Sequence, residues 1–256
     1  MRKIFFASML SIPSLCSAAE PAGSEDMPFF TGKITHESVD AFISKYDGRS
    51  DITDLRITSQ GGDVKAAIKF GNWVHKKGLN IRVRFLCYSA CANYIFVAGK
   101  NKVLERGSFV AWHGDMEQKD FRELIEKYEA ISQRARGSAL SDSDKLFLAD
   151  NKVKYESLRE LRKRQAELYS ALRVNSEFGR IGQEPISYPS DGWTLTKKAM
   201  EHFGISNVEV PNGYATVQYF SSDPGPSLIN RGPLLILDVD DSGKVFPVNL
   251  DQLTNK

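Results

Sequence analysis

The chain has 256 residues, 41% of them hydrophobic, 26% charged and 11% aromatic. This composition excludes a disordered tail, a collagen-like chain and a small disulfide scaffold. The 34 Lys+Arg against 32 Asp+Glu leave a formal charge of +2, too balanced to point to a nucleic-acid partner. No stretch reaches the roughly 18–20 apolar residues that span a bilayer, which excludes a polytopic membrane protein.

Arg2 and Lys3, the apolar run Ile4 to Cys16 and the small residues Ser17-Ala18-Ala19 follow the order of a secretory signal peptide. Cleavage after Ala19 removes two positive charges and no negative ones. The expectation is therefore an exported, periplasmic or secreted, mature chain that is electrically neutral and lacks a transmembrane span. Cys16 is not preceded by a lipoprotein pattern, so no lipid anchor is expected.

Export bears on the two remaining cysteines, Cys87 and Cys91. An oxidising compartment permits their pairing, and on a regular helix residues four apart have Cα atoms about 6 Å apart, within disulfide reach. Two small buried hydrophobes at a strand-to-helix junction is the other reading. A metal site is not expected, because two cysteines without nearby His or Cys do not fill a tetrahedral set.

Taken in chain order, Phe29 to Thr35 reads as a first strand and His36 to Tyr46 as an amphipathic helix. Leu55 to Thr58 is a short strand, Ser59-Gln60-Gly61-Gly62 a turn, and Asp63 the cap of a helix carrying Val64, Ala67, Ile68, Phe70 and Val74. Asn80 to Leu86 alternates as a half-buried strand does, Ser89 to Val97 turns helical and stops at Gly99, and Val103-Leu104 and Phe109 to Trp112 are further strands. This β-α-β-α-β run predicts an α/β fold with a parallel layer and right-handed crossovers.

Between Met116 and Arg173 charge dominates and apolar positions recur at helical spacing. A helix near Asp120 to Arg136 and a second from a Ser141/Asp142 cap to about Arg173 form an inserted hairpin over residues 116–173. Leu158, Leu161, Leu168 and Leu172 mark a stripe on the second helix, with Gln165 at the missing heptad position. A stripe that long must bury against its own domain or a second copy, and a homo-oligomer through the insert is the expectation. Gly192 to Thr196 leads into a short helix, Lys197 to Phe203, ended by Gly204. Residues 211–256 read as β structure: Tyr214 to Phe220, Leu234 to Val239 and Val245 to Val248, the last two joined by the turn Asp240-Asp241-Ser242-Gly243.

Three features fall on one side of the parallel layer. Gly61-Gly62 follow a strand and precede a helix, where glycines allow close backbone approach and expose N–H donors. Cys87-Tyr88-Ser89-Ala90-Cys91 puts a hydroxyl where the next strand meets the next helix, a position that suits either a cap or a nucleophile. Trp112-His113-Gly114 ends a strand that belongs beside the other two. His36, His75 and His202 read as surface or satisfied core residues.

The order of these motifs resembles the ClpP/crotonase superfamily, which includes the proteolytic subunit of the Clp protease. Ile57-Thr58-Ser59-Gln60-Gly61-Gly62, Ser89 to Gly99, Phe109 to His113 and Leu195-Thr196 to Gly204 carry the resemblance, over about residues 50–114 and 188–210. The domain it implies spans 27–210. The helical insert and the C-terminal β segment lie outside the match. The resemblance implies serine hydrolysis of peptide bonds, with Ser89 as nucleophile, His113 as base and Asp191 orienting the imidazole. Backbone N–H groups of Gly61, Gly62 and Ala90 would hold the oxyanion, and one such donor is worth about 3 kcal/mol of barrier.

Counting back without gaps from Ala98-Gly99, the family's nucleophile position falls on Ala90, one step past Ser89. One step on a helix turns a side chain by about 100°. Asp191 likewise sits one position off the ungapped match. A second expectation is therefore an exported binding or assembly protein that keeps the fold without catalysis. Acyl-CoA chemistry of the crotonase type is disfavoured by export and by the lack of a basic cluster for the cofactor's phosphates. No cofactor and no ATPase partner are expected; a peptide or protein substrate is.

Overall fold

A computed structural model of the chain describes residues 27–184, 192–222, 234–249 and 251. The signal-peptide reading of residues 1–19 and the position of Asp191 lie outside the described residues. Five strands form the path β1 (Phe29–Thr31), β2 (Asp54–Ser59), β3 (Asn80–Tyr88), β4 (Lys102–Leu104) and β7 (Val208–Glu209), every neighbouring pair parallel. β5 (Phe109–Ala111) pairs in parallel with the second half of β3, whose first half pairs with β4. The α/β class with a parallel layer follows from the sequence pattern.

The helices begin where side chains can satisfy the free N–H groups of a first turn. α1 (His36–Tyr46) is capped by Thr35, whose Oγ1 accepts from Ser38 N–H while Ser38 Oγ accepts from Thr35 N–H. α2 (Val64–Lys77) starts at Asp63, which accepts from Ala66 N–H at 2.7 Å, and ends on Gly78 in the left-handed conformation. Both helices pack aromatic side chains on the sheet. Phe30, Phe42, Phe70 and Trp73 meet at centroid distances of 5.1–6.1 Å, mostly edge to face, contacts worth about 0.5–1.5 kcal/mol each beyond burial.

Three details differ from the sequence expectations. β1 stops at Thr31 because Gly32 takes a φ of 103°, and the chain regains the sheet only as a bridge between Ile34 and Gly62. The segment after Ser89 is a π-helical turn over Cys91–Phe96 rather than a regular helix. Tyr214 to Phe220 is not a strand: Thr216 Oγ1 accepts from Tyr219 N–H and starts a short helix, Val217–Ser222. The last two expected strands are present, β8 (Leu235–Val239) joining β6 (Trp193–Leu195) in parallel and β9 (Val245–Pro247) antiparallel.

α3 (Lys119–Arg134) and α4 (Asp142–Leu172) form the inserted hairpin, with Ser141 capping α4 and Arg173 ending it. The leucine stripe is covered within the chain. Leu158 and Leu161 pack with Met116 and Ile125, and Leu168 and Leu172 pack on the main core. A second copy is not needed to bury it, so the stripe supplies no argument for self-association.

Candidate active site

The carboxyl ends of β2, β3 and β5 meet at one edge because their registers bring them level. Ser59 pairs with Cys87, and Tyr88 pairs with Ala111. One residue beyond Tyr88 is Ser89 and two beyond Ala111 is His113, so the register brings the two segments together and the left-handed turn at Ser89 accompanies the meeting of their side chains. Open parallel sheets bind ligands at this edge. Ser89 Oγ and His113 Nε2 are 2.6 Å apart, within the hydrogen-bond reach of a nucleophile and its base. Ala90 carries no hydroxyl, and Ser89 is the residue that meets the histidine.

Ser89 stands on a tight corner. Its φ is 60°, in the left-handed region, which costs an L-residue about 1–2 kcal/mol. The surroundings hold it there. Its N–H donates to Ala111 C=O at 3.1 Å and its C=O accepts from Asn93 N–H at 2.9 Å. The Cys87–Cys91 pair is disulfide-bonded across the corner, with Cα atoms 5.3 Å apart and both residues fully buried. Strained backbone that its surroundings over-determine clusters at functional sites. The Tyr88 ring stacks on His113 at 5.0 Å and 25°.

The glycine turn presses against this corner. A Cβ on Gly61 would come within 2.8 Å of Tyr88 O, 2.9 Å of Ala90 N and 2.9 Å of Ser89 Cβ, so only glycine fits. The Gly61 N–H donates to Ser59 Oγ at 3.0 Å and is thereby engaged. The Ile34–Gly62 bridge uses the C=O of Gly61 and the N–H of Asp63, which turns the N–H of Gly62 away from Ile34. Ala90 N–H belongs to the first turn after the corner, where helix-type segments leave N–H groups free of intrahelical partners.

Behind His113 lies a buried polar network. Asp115 is 4% exposed. It accepts from Glu117 N–H at 2.7 Å, from Gln165 Nε2 at 2.9 Å and from Tyr169 at 3.5 Å. Burial pushes its carboxyl up to about 7, the hydrogen bonds only partly opposing it. Gln165 Oε1 accepts from Tyr94 hydroxyl at 2.7 Å and from Met116 N–H at 3.1 Å. Burial also holds the Tyr94 and Tyr169 hydroxyls well above their ordinary range, keeping them protonated donors. Asn93 Nδ2 donates to Gly114 C=O and Gln183 Nε2 to His113 C=O, both at 2.8 Å. Sequence reasoning singled out none of these residues for the site. The only signal was Gln165, a polar residue in an otherwise leucine stripe.

Two clefts lie near these segments, neither of them lined by Ser89 or His113 themselves. A cleft of about 600 Å³ runs beside Ser59, Gly61 and Gly62, and one of about 910 Å³ adjoins the His113 segment through Gln183, lined by Lys119, Arg180 and Glu184. Among the described residues no group of His, Cys, Asp and Glu is placed to hold a metal ion, and no helix is long and apolar enough to cross a membrane. Neither a protein-family model nor a curated protein matches the chain. The site's chemical content is a hydroxyl and an imidazole in contact, on a strained corner, with main-chain donors beside them.

Proposed function

We propose that the protein is an exported serine hydrolase, a peptidase of Clp-like type in the ClpP/crotonase superfamily, in which Ser89 attacks and His113 takes its proton. The observation that carries this reading is the 2.6 Å contact between Ser89 Oγ and His113 Nε2 at a left-handed corner. In the first step the serine oxygen bonds to the substrate carbonyl carbon as its proton passes to His113 Nε2. The carbonyl electron pair becomes an oxyanion held by Gly62 and Ala90 N–H groups, Gly61 serving the close approach instead. The protonated imidazole then delivers its proton to the leaving amine, and water repeats the sequence on the acyl-enzyme. The third member is Asp191. Its assignment rests on the resemblance and on its place in the sequence just before Gly192 and Trp193.

Export fits the buried disulfide, which persists in oxidising compartments. Reaction with a fluorophosphonate serine probe tests the reading. The wild type is expected to label at one site and Ser89→Ala not at all, with similar melting temperatures. No labelling of a folded wild type overturns it in favour of a binding or assembly protein that keeps the fold, and equal labelling of Ser89→Ala overturns it by placing the reactive group elsewhere.

A further inference from the structure

We infer that Gln165, on the inserted arm, is a positioning residue that holds His113 opposite Ser89, an inference that rests on the hydrolase reading for its catalytic meaning. Gln165 is 1% exposed in a stripe that a leucine would continue. Burying an amide there costs free energy unless all its groups are bonded, and they are bonded to both halves of the site. Its Oε1 takes the hydroxyl of Tyr94, in the turn that begins two residues past Ser89, and the N–H of Met116, three residues past His113. Its Nε2 donates to Asp115, two residues past His113. One side chain from a distant helix therefore ties the serine corner to the histidine loop.

A direct link reinforces the same pair of segments. Asn93 donates its N–H to Ser89 C=O and its Nδ2 to Gly114 C=O, so corner and loop are joined at two depths. Gln183 Nε2 also donates to His113 C=O, and the residues beyond Gly114 are held through Asp115 and Met116. Gln165 closes the loop from the far side, with the Phe178–Gly179 turn packed over Asp115, where a Cβ on Gly179 would come within 2.2 Å of Oδ2. Apolar packing of the arm does not require an amide here, since the neighbouring stripe positions Leu158, Leu161, Leu168 and Leu172 bury without one.

The test uses the full chain and two readouts. The first is the rate of fluorophosphonate labelling, measured well below the melting temperature. Gln165→Met, which keeps volume and removes the hydrogen bonds, is expected to slow labelling by about ten- to a hundredfold, the range a small misplacement of reacting groups produces. Tyr94→Phe removes one hydroxyl and is expected to slow it less. The second readout needs no activity. Ser89→Ala should move the His113 Nε2 resonance in the wild-type background, and by less than half as much in the Gln165→Met background. A Ser89-dependent shift of equal size in both backgrounds, or none in the wild type, overturns the positioning role. A wild type that does not label but loses this coupling in Gln165→Met removes the hydrolase reading and leaves the positioning role standing. If Gln165→Met does not fold, Tyr94→Phe decides. An unchanged labelling rate and an unchanged Ser89-dependent shift then overturn the inference.

Discussion

Gly71 of α2 lies against the carbonyl of Tyr94, so close that a Cβ on the glycine would sit 2.1 Å from that oxygen and 3.3 Å from Leu168 Cδ2. The absent side chain lets α2, the π-helical turn behind Ser89 and α4 meet in one place. Gly71→Ala must push the turn or the helix away, and the nearest atom is a backbone oxygen, which yields poorly. Overpacking of this kind costs about 1–3 kcal/mol. Urea unfolding should show a lowered midpoint with an unchanged slope, and because Tyr94 is displaced, probe labelling should slow as well. A midpoint equal to the wild type's would mean the three elements are not tightly fixed.

The φ of 60° at Ser89 makes a separate prediction about stability. Ser89→Ala and Ser89→Gly both remove the hydroxyl and should both abolish labelling. They differ in the backbone, because alanine keeps the left-handed penalty and glycine does not. The glycine variant should therefore be more stable than the alanine variant by about 1 kcal/mol, read by thermal or urea unfolding. The reverse order would show that the corner is not left-handed in solution.

Most of the fold is legible in the sequence, because its signals are local. Thr35 and Asp63 are side-chain caps followed by apolar residues at helical spacing, and α1 and α2 begin directly after them. Tyr214 to Phe220 misleads because its aromatic and β-branched residues favour a strand. The cap from Thr216 and the burial of Tyr214, whose hydroxyl meets Thr194 Oγ1 at 3.0 Å, outweigh that preference. The pairing of Ser89 with His113 can be anticipated from strand order. The one-residue offset from the family pattern could not be resolved there, because a π-helical turn and a left-handed corner carry no composition of their own. The Asp115–Gln165–Tyr94 network joins residues up to 71 positions apart, and no local pattern encodes such a contact.

Asp115 should make stability fall as pH rises. Its folded value is about 7 and its ordinary value 3.8, so between these limits the native state holds a proton that the unfolded chain has lost. Stability from this group is full below about pH 4, declines through pH 7 and is flat above. At about 1.4 kcal/mol per pH unit the loss amounts to a few kcal/mol. Carboxylates held low by their partners, such as Glu184 beside Arg122, slope the other way. The measurement is therefore the difference between wild type and Asp115→Asn in urea unfolding across pH 4.5–8. Glu117, Tyr94 and Tyr169 face the same carboxyl and stay in place in both proteins. The difference should shrink steadily toward pH 7.5. A constant difference would mean that Asp115 is ionised throughout.

The disulfide closes only a short loop, Cys87 to Cys91, yet that loop contains the whole corner. Chain entropy assigns a bridge this short about 2 kcal/mol, a modest part of the stability of a domain. Its larger consequence is local, since it joins the end of strand β3 to the first residue of the π-helical segment on either side of Ser89. Replacing both cysteines by alanine should lower unfolding stability by about 2 kcal/mol and leave the fold intact by circular dichroism. Labelling at Ser89 should slow by more than the stability loss accounts for, because the folded fraction stays near one. Thiol counting in denaturant on the exported, unreduced protein should find no free thiol at these positions. Two free thiols there, or a double variant that labels at the wild-type rate, would show that the corner holds its shape without the bridge.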